Sequence, residues 1–232
     1  MIRLPQLIAH RCGGNLAPEN TLAGLHAAVR AGCRAVEFDV MLSADGTPVL
    51  IHDETLERTT NGVGRVCETP DAVLFSLDAG QGERIPILAE AAALCERYGF
   101  LANIEIKPAA GHEAATGASV ARFVADHWPG LPPLLSSFSG EALQAAWQAA
   151  PNLQYGLLFE SVPEDWLRQR AAIGALTLHC AAESLTDALL AEARAAGVPV
   201  LCYTVNDAAE AQVLFQRGVS SIFSDTLLSR FS

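Results

Sequence analysis

The sequence lacks any apolar run as long as a membrane-spanning helix. No hydrophobic stretch reaches the roughly 18 residues that such a helix needs. The segment from Met1 to His10 also lacks an apolar stretch followed by a cleavage site, the pattern of a secretory signal. We therefore expect a cytoplasmic protein that does not insert into membranes.

Positive charge is scarce. The 232 residues include 15 Lys and Arg against 26 Asp and Glu, which gives a net charge of −11. Such an acidic chain repels nucleic acids and anionic membranes in general, so neither is an expected partner. An anionic substrate would need a metal ion or a local cluster of cationic side chains to offset that repulsion.

Closely spaced cysteines and flexible linkers are also absent. The six cysteines stand at positions 12, 33, 67, 95, 180 and 202, and no two of them form a Cys-x-x-Cys pair. Because no secretory signal is visible, we expect reduced thiols. No linker rich in Pro, Gly or Ser divides the chain, so we expect one domain over residues 1–232.

Apolar strands alternate with amphipathic helices along most of the chain. The predicted strands cover residues 7–10, 35–41, 101–107, 133–138, 153–159, 175–180, 198–205 and 221–224. The predicted helices cover residues 22–29, 88–98, 113–127, 140–149, 163–173, 184–196 and 207–217, and Asn20 or Thr21 is the expected N-cap of the first. This alternation predicts an α/β protein, and eight units favour a TIM-type (β/α)₈ barrel over an open doubly wound sheet. Residues 43–84 carry hairpin turn signals and a short strand at 48–51, so we interpret them as a small insertion after the second strand.

Two of the predicted strands carry charged residues between apolar ones. Glu37 and Asp39 alternate with apolar residues in the second strand, and Glu105 and Lys107 do so in the third. Side chains two positions apart point to the same face of a strand, about 7 Å from each other. In a barrel the outer face packs against helices, so these charges would point into the barrel near the C-terminal strand ends. The alternative is a half-exposed antiparallel strand with solvated charges.

Three buried carboxylates cannot all stay ionised without nearby cations. Lys107 can neutralise one of them, and a divalent cation is the natural partner of the rest. Ligation by oxygen atoms alone points to Mg²⁺ or Ca²⁺. Such a cation, together with Lys107 and Arg11, would form a cationic pocket that suits a phosphate group.

Histidines stand at the ends of two predicted strands. His10 ends the first strand, and His52 ends the short strand of the insertion. An unperturbed imidazole titrates near about 6.5, so one ring can hold a proton while the other accepts one at neutral pH. His179 would face inward on the sixth strand and is a candidate supporting residue.

An ordered set of motifs resembles a known enzyme family. The motifs are His10-Arg11, Pro18-Glu19-Asn20-Thr21, Glu37-x-Asp39, Asp45-Gly46, His52-Asp53, Arg58-Thr59-Thr60-x-Gly62-x-Gly64, Ile85-Pro86, Glu105-x-Lys107 and Thr204-Val205-Asn206. The chain resembles the bacterial glycerophosphodiester phosphodiesterases of the short cytoplasmic kind. Each motif alone is weak, but the ordered set is specific and runs from Ile8 to about Asp225.

The resemblance implies a TIM-type barrel that uses a divalent cation to hydrolyse glycerophosphodiesters to glycerol 3-phosphate and an alcohol. The positions of the family's metal ligands are occupied by Glu37, Asp39 and Glu105. Its acid–base pair matches His10 and His52, and we expect His10 to act as base and His52 as acid in the first step.

The remaining site residues are also implied by the resemblance. Arg11 and Lys107 match cations that contact the phosphate, and Glu19 is expected to orient Arg11 rather than to bind metal. Phe138 and Tyr203 match an apolar wall for the glycerol or the alcohol. The expected substrate is therefore a small molecule.

The chain departs from the family pattern at two positions. Cys12 stands where the family has Gly directly after His-Arg, and Gly13 is expected to take over the conformation that this Gly allows. Tyr203 stands where the family has Trp, which changes the size of the aromatic wall and adds a hydroxyl group.

Two other functions compete with a metal-dependent phosphodiesterase. A barrel lyase with Lys107 as base would use the same three carboxylates but would not need His52. A barrel that only binds phosphate would need no pair of histidines to move protons.

Overall fold

The strands form a closed parallel barrel. The computed structural model describes residues 4–227. The nine strands, in chain order, are β1 Leu7–Ala9, β2 Ala35–Leu42, β3 Pro48–Leu50, β4 Leu101–Ile106, β5 Leu134–Ser137, β6 Gln154–Phe159, β7 Thr177–Ala181, β8 Val200–Tyr203 and β9 Ser221–Ser224. Their hydrogen-bonded order is β1-β9-β8-β7-β6-β5-β4-β2, and β1 pairs with β2 to close the barrel. The predicted TIM-type barrel is confirmed.

Helices between the barrel strands cover the outside of the sheet. They are α1 Leu22–Arg30, α3 Leu88–Tyr98, α4 Glu113–His127, α5 Gly140–Ala149, α6 Trp166–Ile173, α7 Asp187–Ala195 and α8 Ala208–Arg217. The short helix α2 Asp71–Leu74 lies instead in the segment between β3 and α3. None of the helices in residues 4–227 is both long and apolar enough to cross a membrane.

Several predicted boundaries were right and others were too wide. The predictions for α3, α4, α5 and β9 match the structure. The predicted strand over 198–205 was too long, because the ladder runs only over Val200–Tyr203. Pro199 has no N–H group to donate to the sheet at the start of that strand. The predicted helix over 163–173 begins at Trp166, after a turn in which Trp166 N–H donates to the Pro163 carbonyl.

Alternate side chains of β2 pack on opposite faces of the sheet, one against the helices and the other inside the barrel. Val36, Phe38 and Val40 are buried between the sheet and the helices. Ala35 points to the other face and packs inside the barrel with Ile8, Leu201 and Phe223. Because Glu37 and Asp39 have the same parity as Ala35, both carboxylates also point into the barrel.

The segment between β2 and α3 carries its own small core. β3 pairs antiparallel with β2, with Val40 opposite Leu50, after a turn in which Gly46 N–H donates to the Ser43 carbonyl. Apolar residues of this segment form a separate cluster that includes Met41, Val49, Ile51, Leu56, Val66, Leu74 and Ile85. This packing holds the end of β3, and with it His52, at the rim of the barrel. The single domain and the insertion limits at 43–84 stay predictions.

Candidate active site

A cavity of about 250 Å³ opens at the C-terminal ends of the barrel strands. Its lining includes most of the residues singled out from the sequence: His10, Arg11, Glu37, His52, Glu105, Lys107, Phe138, His179 and Tyr203. Asn103, Ser136, Leu158, Thr204 and Phe223 complete the lining. This is the end of the barrel at which TIM-barrel enzymes carry their active sites.

Three carboxylates meet at this cavity: Glu37 and Glu105 line it, and Asp39 is buried next to them. One oxygen from each of Glu37, Asp39 and Glu105 lies within 4.8 Å of the others. Burial and the neighbouring charges of Asp39 and Glu105 raise the pKa of Glu37 well above its usual value. Burial, and after it the charge of Asp39, raises the pKa of Glu105 to about 7. Glu37 Oε1 is buried and has no hydrogen-bond partner among the described residues. A divalent cation, which favours oxygen ligands, fits this set.

Asn20 holds Asp39 in place from the loop before α1. Its amide Nδ2 donates to Asp39 Oδ2 at 2.8 Å, and its Oδ1 accepts from the Asp39 backbone N–H at 3.1 Å. Of the two N-caps expected from the sequence, Asn20 and Thr21, the structure confirms Thr21. Thr21 is the N-cap, and its hydroxyl oxygen accepts from Gly24 N–H. Asn20 instead has a φ of 56°, a conformation that asparagine tolerates better than most residues.

The two cationic residues lie beside the carboxylates. Lys107 Nζ is 3.2 Å from Glu105 Oε1 and 3.7 Å from Asp39 Oδ1. Arg11 donates its backbone N–H to Glu37 Oε2 and one guanidinium N–H to Glu19 Oε1. Arg11 Nε is buried without a hydrogen-bond partner within residues 4–227. Arg11 Nε lies 3.8 Å from Asp39 Oδ2, and the guanidinium has further N–H groups beyond the one that Glu19 accepts.

Glu19 orients cationic side chains, as expected from the sequence. Its two carboxylate oxygens accept from Arg11 and from both terminal nitrogens of Arg58. Glu19 is not part of the metal-ligand cluster found among the described residues.

His10 is held by a carboxylate from the other end of the chain. His10 Nδ1 lies 2.7 Å from Asp225 Oδ1, and its Nε2 lies 3.9 Å from Glu37 Oε2. Asn206 supports Asp225 by donating from Nδ2 to its Oδ2 and by accepting from its backbone N–H. The hydrogen bond with His10 holds the pKa of Asp225 below its usual value.

His52 is held by the residue that follows it. His52 Nδ1 is 2.6 Å from Asp53 Oδ1, and its Nε2 is 2.6 Å from Lys107 Nζ. Burial lowers the pKa of His52, although Asp39 and Asp53 act in the opposite direction. Hydrogen bonds from Arg58 hold the pKa of Asp53 well below its usual range. Arg58 thus ties Asp53 to Glu19, and through Glu19 to Arg11.

The two predicted aromatic residues form one wall of the cavity. The rings of Phe138 and Tyr203 meet edge to face with their centroids 5.7 Å apart. The Tyr203 hydroxyl group donates to the Phe159 carbonyl at 2.8 Å, so this hydroxyl is bound to the main chain. Phe138 is 47% exposed and therefore belongs to the mouth of the cavity rather than to the core.

Cys12 itself adopts the left-handed conformation that was expected of Gly13. Its φ is 74°, and its side chain is fully buried. The expectation that Gly13 takes over this role was wrong, because Gly13 has a φ of −142°. Cys12 N–H donates to the Glu37 carbonyl at 2.7 Å, which fixes this loop against β2.

Comparison with known proteins identifies the family. The sequence profile of the glycerophosphoryl diester phosphodiesterase family matches residues 10–228. The chain belongs to this family. A glycerophosphodiester phosphodiesterase of Caldanaerobacter subterraneus subsp. tengcongensis is 32% identical over 227 residues, which cover 94% of this chain and 93% of the relative.

Solved structures of family members have the same fold. A phosphodiesterase of Oleispira antarctica, in complex with the product sn-glycerol-3-phosphate, has a TM-score of 0.94 and 40% identity, covering 98% of this chain and 95% of its own. A glycerophosphodiester phosphodiesterase of Agrobacterium tumefaciens has a TM-score of 0.77 and 26% identity, covering 98% of this chain and 100% of its own. The resemblance stated from the sequence and its assignment to an enzyme family are confirmed.

Sequence reasoning missed the roles of Asp225, Asn206 and Arg58, which support the side chains of His10 and His52 directly or through a carboxylate. Asp225 and Asn206 stand 215 and 196 positions after His10 in the sequence, so no local spacing indicates their contact. Arg58 belongs to a family motif and could have been found by asking which cation faces Glu19 and Asp53.

Proposed function

We propose that this protein hydrolyses glycerophosphodiesters to sn-glycerol 3-phosphate and an alcohol, in a reaction that depends on a divalent cation and on two histidines. The observation that carries the proposal is that the cluster of three carboxylates lies at one cavity together with two cationic side chains and the imidazoles of His10 and His52. The family membership supports this reaction class, and the relative from Oleispira antarctica binds sn-glycerol-3-phosphate.

Glu37, Asp39 and Glu105 are the proposed ligands of the cation. When bound, Mg²⁺ or Ca²⁺ would supply Lewis-acid stabilisation to the negative charge of the phosphodiester. The unpartnered Glu37 Oε1 supports this assignment, because a buried carboxylate oxygen without a hydrogen bond or a cation is costly. Arg11 Nε and Lys107 Nζ are the proposed contacts of the phosphate oxygens.

His10 and His52 are the proposed proton carriers. The contact of His10 Nδ1 with Asp225 leaves Nε2 on the cavity side to accept a proton. His52 Nδ1 is likewise held by Asp53, and its Nε2 lies beside Lys107 Nζ. We assign His10 as the base and His52 as the acid that protonates the departing oxygen in the first step.

The proposed nucleophile is the hydroxyl group next to the phosphate ester in the glycerol half of the substrate. This hydroxyl is held close to phosphorus and gains a large effective concentration over water. His10 takes its proton as the new P–O bond forms, the bond to the alcohol breaks, and the departing oxygen receives a proton from His52. Water then opens the resulting cyclic glycerol phosphate with the two histidines in reversed roles.

Release of sn-glycerol 3-phosphate from glycerophosphocholine and glycerophosphoethanolamine tests the function. We expect turnover with Mg²⁺ or Ca²⁺ and its loss after exhaustive chelation. A substrate analogue without the neighbouring hydroxyl should bind but react very slowly. If that analogue reacts as fast as the parent diester, direct attack by water replaces the cyclic route.

A further inference from the structure

The floor of the cavity carries a histidine that the proposed reaction does not use. His179 of β7 is fully buried and lines the cavity. It is level with Leu201 of the barrel interior, and its ring centroid is 5.4 Å from that of Phe223. Burial lowers the pKa of His179 to about 3, so the ring is neutral.

One nitrogen of this ring is fixed by a neighbour on the same strand. His179 Nε2 lies 2.9 Å from Thr177 Oγ1. A Cβ atom at Gly156 would lie 2.5 Å from Thr177 Oγ1 and 2.9 Å from His179 Nε2. Gly156 on the neighbouring strand therefore leaves the room that this pair occupies, and the ring is held in one orientation.

The other nitrogen has no partner. Five buried side-chain atoms in residues 4–227 lack a hydrogen bond, and three of them belong to residues lining this cavity: Glu37 Oε1, Arg11 Nε and His179 Nδ1. The proposed function assigns the first to a cation and the second to the phosphate group. His179 Nδ1 is left, and an unmade hydrogen bond at a buried polar atom is costly.

The chemistry of a neutral imidazole limits which kind of ligand group can form a hydrogen bond with His179 Nδ1. One ring nitrogen donates and the other accepts, and the Thr177 hydroxyl can serve Nε2 in either tautomer. A hydroxyl group can likewise donate to Nδ1 or accept from it. A charged group gains no opposite charge from a neutral ring and loses its hydration among Leu158, Leu201 and Phe223.

We infer that His179 Nδ1 receives the terminal hydroxyl of the glycerol half of the substrate, with Thr177 positioning the ring. This inference rests on the proposed function, in which the hydroxyl next to the phosphate ester is committed to the attack on phosphorus. The terminal hydroxyl is then the remaining hydroxyl of the glycerol half, and it is the one that can contact His179 at the floor of the cavity. His179 becomes a residue that selects glycerol over alcohols without this hydroxyl.

Two substrates and three proteins test the inference. The substrates are glycerophosphocholine and its analogue with hydrogen in place of the terminal hydroxyl, a propane-1,2-diol phosphodiester that keeps the attacking hydroxyl. The proteins are the wild type, His179→Leu, which removes the ring nitrogens, and His179→Asn, which keeps a polar group on the same side. The kcat/KM of each pair is measured at saturating cation.

The expected result is a coupling between the protein and the substrate. The wild type should prefer glycerophosphocholine by about 10- to 100-fold. His179→Leu should lose about the same factor on glycerophosphocholine, while its rate on the analogue should change by less than about 2-fold. His179→Asn should recover part of the preference, because its amide can still meet the hydroxyl.

Other outcomes overturn the inference without touching the proposed function. Equal losses on both substrates would assign His179 a purely structural role. Equal kcat/KM values of the wild type on both substrates would show that the terminal hydroxyl is not recognised. This outcome overturns the inference even if His179→Leu fails to fold. A wild type that hydrolyses neither diester with cation present contradicts the proposed function itself, and the inference falls with it.

Discussion

Carboxylates hold both proposed catalytic imidazoles, but the two pairs differ in how the chain brings them together. Asp53 follows His52 directly, whereas Asp225 comes from the end of the last barrel strand. Each contact engages Nδ1, which leaves Nε2 as the second nitrogen of each ring; Nε2 of His52 meets Lys107 Nζ at 2.6 Å. Such partners fix the tautomer and orientation of an imidazole.

Substitutions of the two histidines and of the Asp225 partner should lower kcat to different extents, in a fixed order. We expect His10→Ala and His52→Ala each to lower kcat by about 10²- to 10⁴-fold, the usual contribution of a positioned acid or base. Asp225→Asn keeps the ring but loses the carboxylate, so its loss should be smaller than that of His10→Ala. Steady-state kinetics over a range of pH should give a bell-shaped profile for the wild type.

The same experiment can remove a residue from the mechanism. Near-normal turnover in His10→Ala or His52→Ala would exclude that histidine as a proton carrier. Asn206→Ala, which removes the support of Asp225 and the hydrogen bond from Ser224 Oγ, is a milder control and should fall between Asp225→Asn and the wild type.

The role of a single residue could be predicted from the sequence where strand periodicity determines the face to which its side chain points. The alternation in β2 placed Glu37 and Asp39 on one face, and the structure brings them together with Glu105. The role of Asn20 was misread, because a local motif suggests a cap, while its actual partner Asp39 lies 19 residues away. A left-handed φ at Asn20 cannot be seen in the sequence.

At the scale of elements, the approach of α1 to the loop after β1 is unusually close. A Cβ atom at Gly24 of α1 would lie 2.8 Å from Cys12 Cβ and 3.1 Å from Gly13 N. This contact packs the helix against the loop that carries His10 and Arg11. The chain thus keeps Cys12 in a left-handed conformation while Gly24 provides the space for its side chain.

Alanine at Gly24 should reveal this contact. Helix propensity alone favours Gly24→Ala by up to about 1 kcal/mol, but the clash should outweigh it and destabilise the protein by about 1–3 kcal/mol. Cys12→Gly in the same chain removes the nearest atom and should recover part of that loss. Urea denaturation of the wild type, the two single variants and the double variant measures the coupling free energy between the two positions. Strictly additive effects would show that Cys12 and Gly24 do not compete for space.

Element boundaries were predictable where the sequence carries a clear stop. α3 ends before Gly99, which adopts a φ of 66°, and the predicted end at Tyr98 was right. The strand predicted over 198–205 was too long, because its apolar residues continue beyond the paired ladder. Apolar character marks burial but not hydrogen-bonded pairing, so strand ends remain the less predictable feature.

At the scale of the whole molecule, the acidic cluster couples folding to pH. The pKa of Glu105 rises from an ordinary 4.5 to about 7 by burial, and that of Glu37 is also raised. Between these values Glu105 stays protonated in the folded chain and ionises in the unfolded chain, so this group makes the free energy of unfolding fall as pH rises. His179 and His52 have lowered pKa values and act in the opposite direction below their ordinary value of 6.5, so the contribution of Glu105 has to be isolated by substitution. A bound divalent cation favours the ionised carboxylates and opposes this fall.

Thermal unfolding of the chelated protein should show this dependence. We expect the Tm of the wild type to fall relative to that of Glu105→Gln, which cannot ionise, between about pH 4.5 and 7, by roughly 2–4 °C for each kcal/mol lost. Excess Mg²⁺ or Ca²⁺ should reduce this relative fall. A Tm difference between the two chelated proteins that does not change over this range would show that ionisation of Glu105 does not destabilise the fold.

The direct test of the central claim is a titration of the chelated protein with Mg²⁺ or Ca²⁺, followed by calorimetry and by sn-glycerol 3-phosphate release in the same samples. The account predicts one cation bound per chain and activity that rises with its occupancy. Glu37→Gln should remain folded and shift both curves together to higher cation concentration. Full activity in the chelated wild type, or unchanged cation binding in Glu37→Gln, would contradict the proposed metal-dependent site.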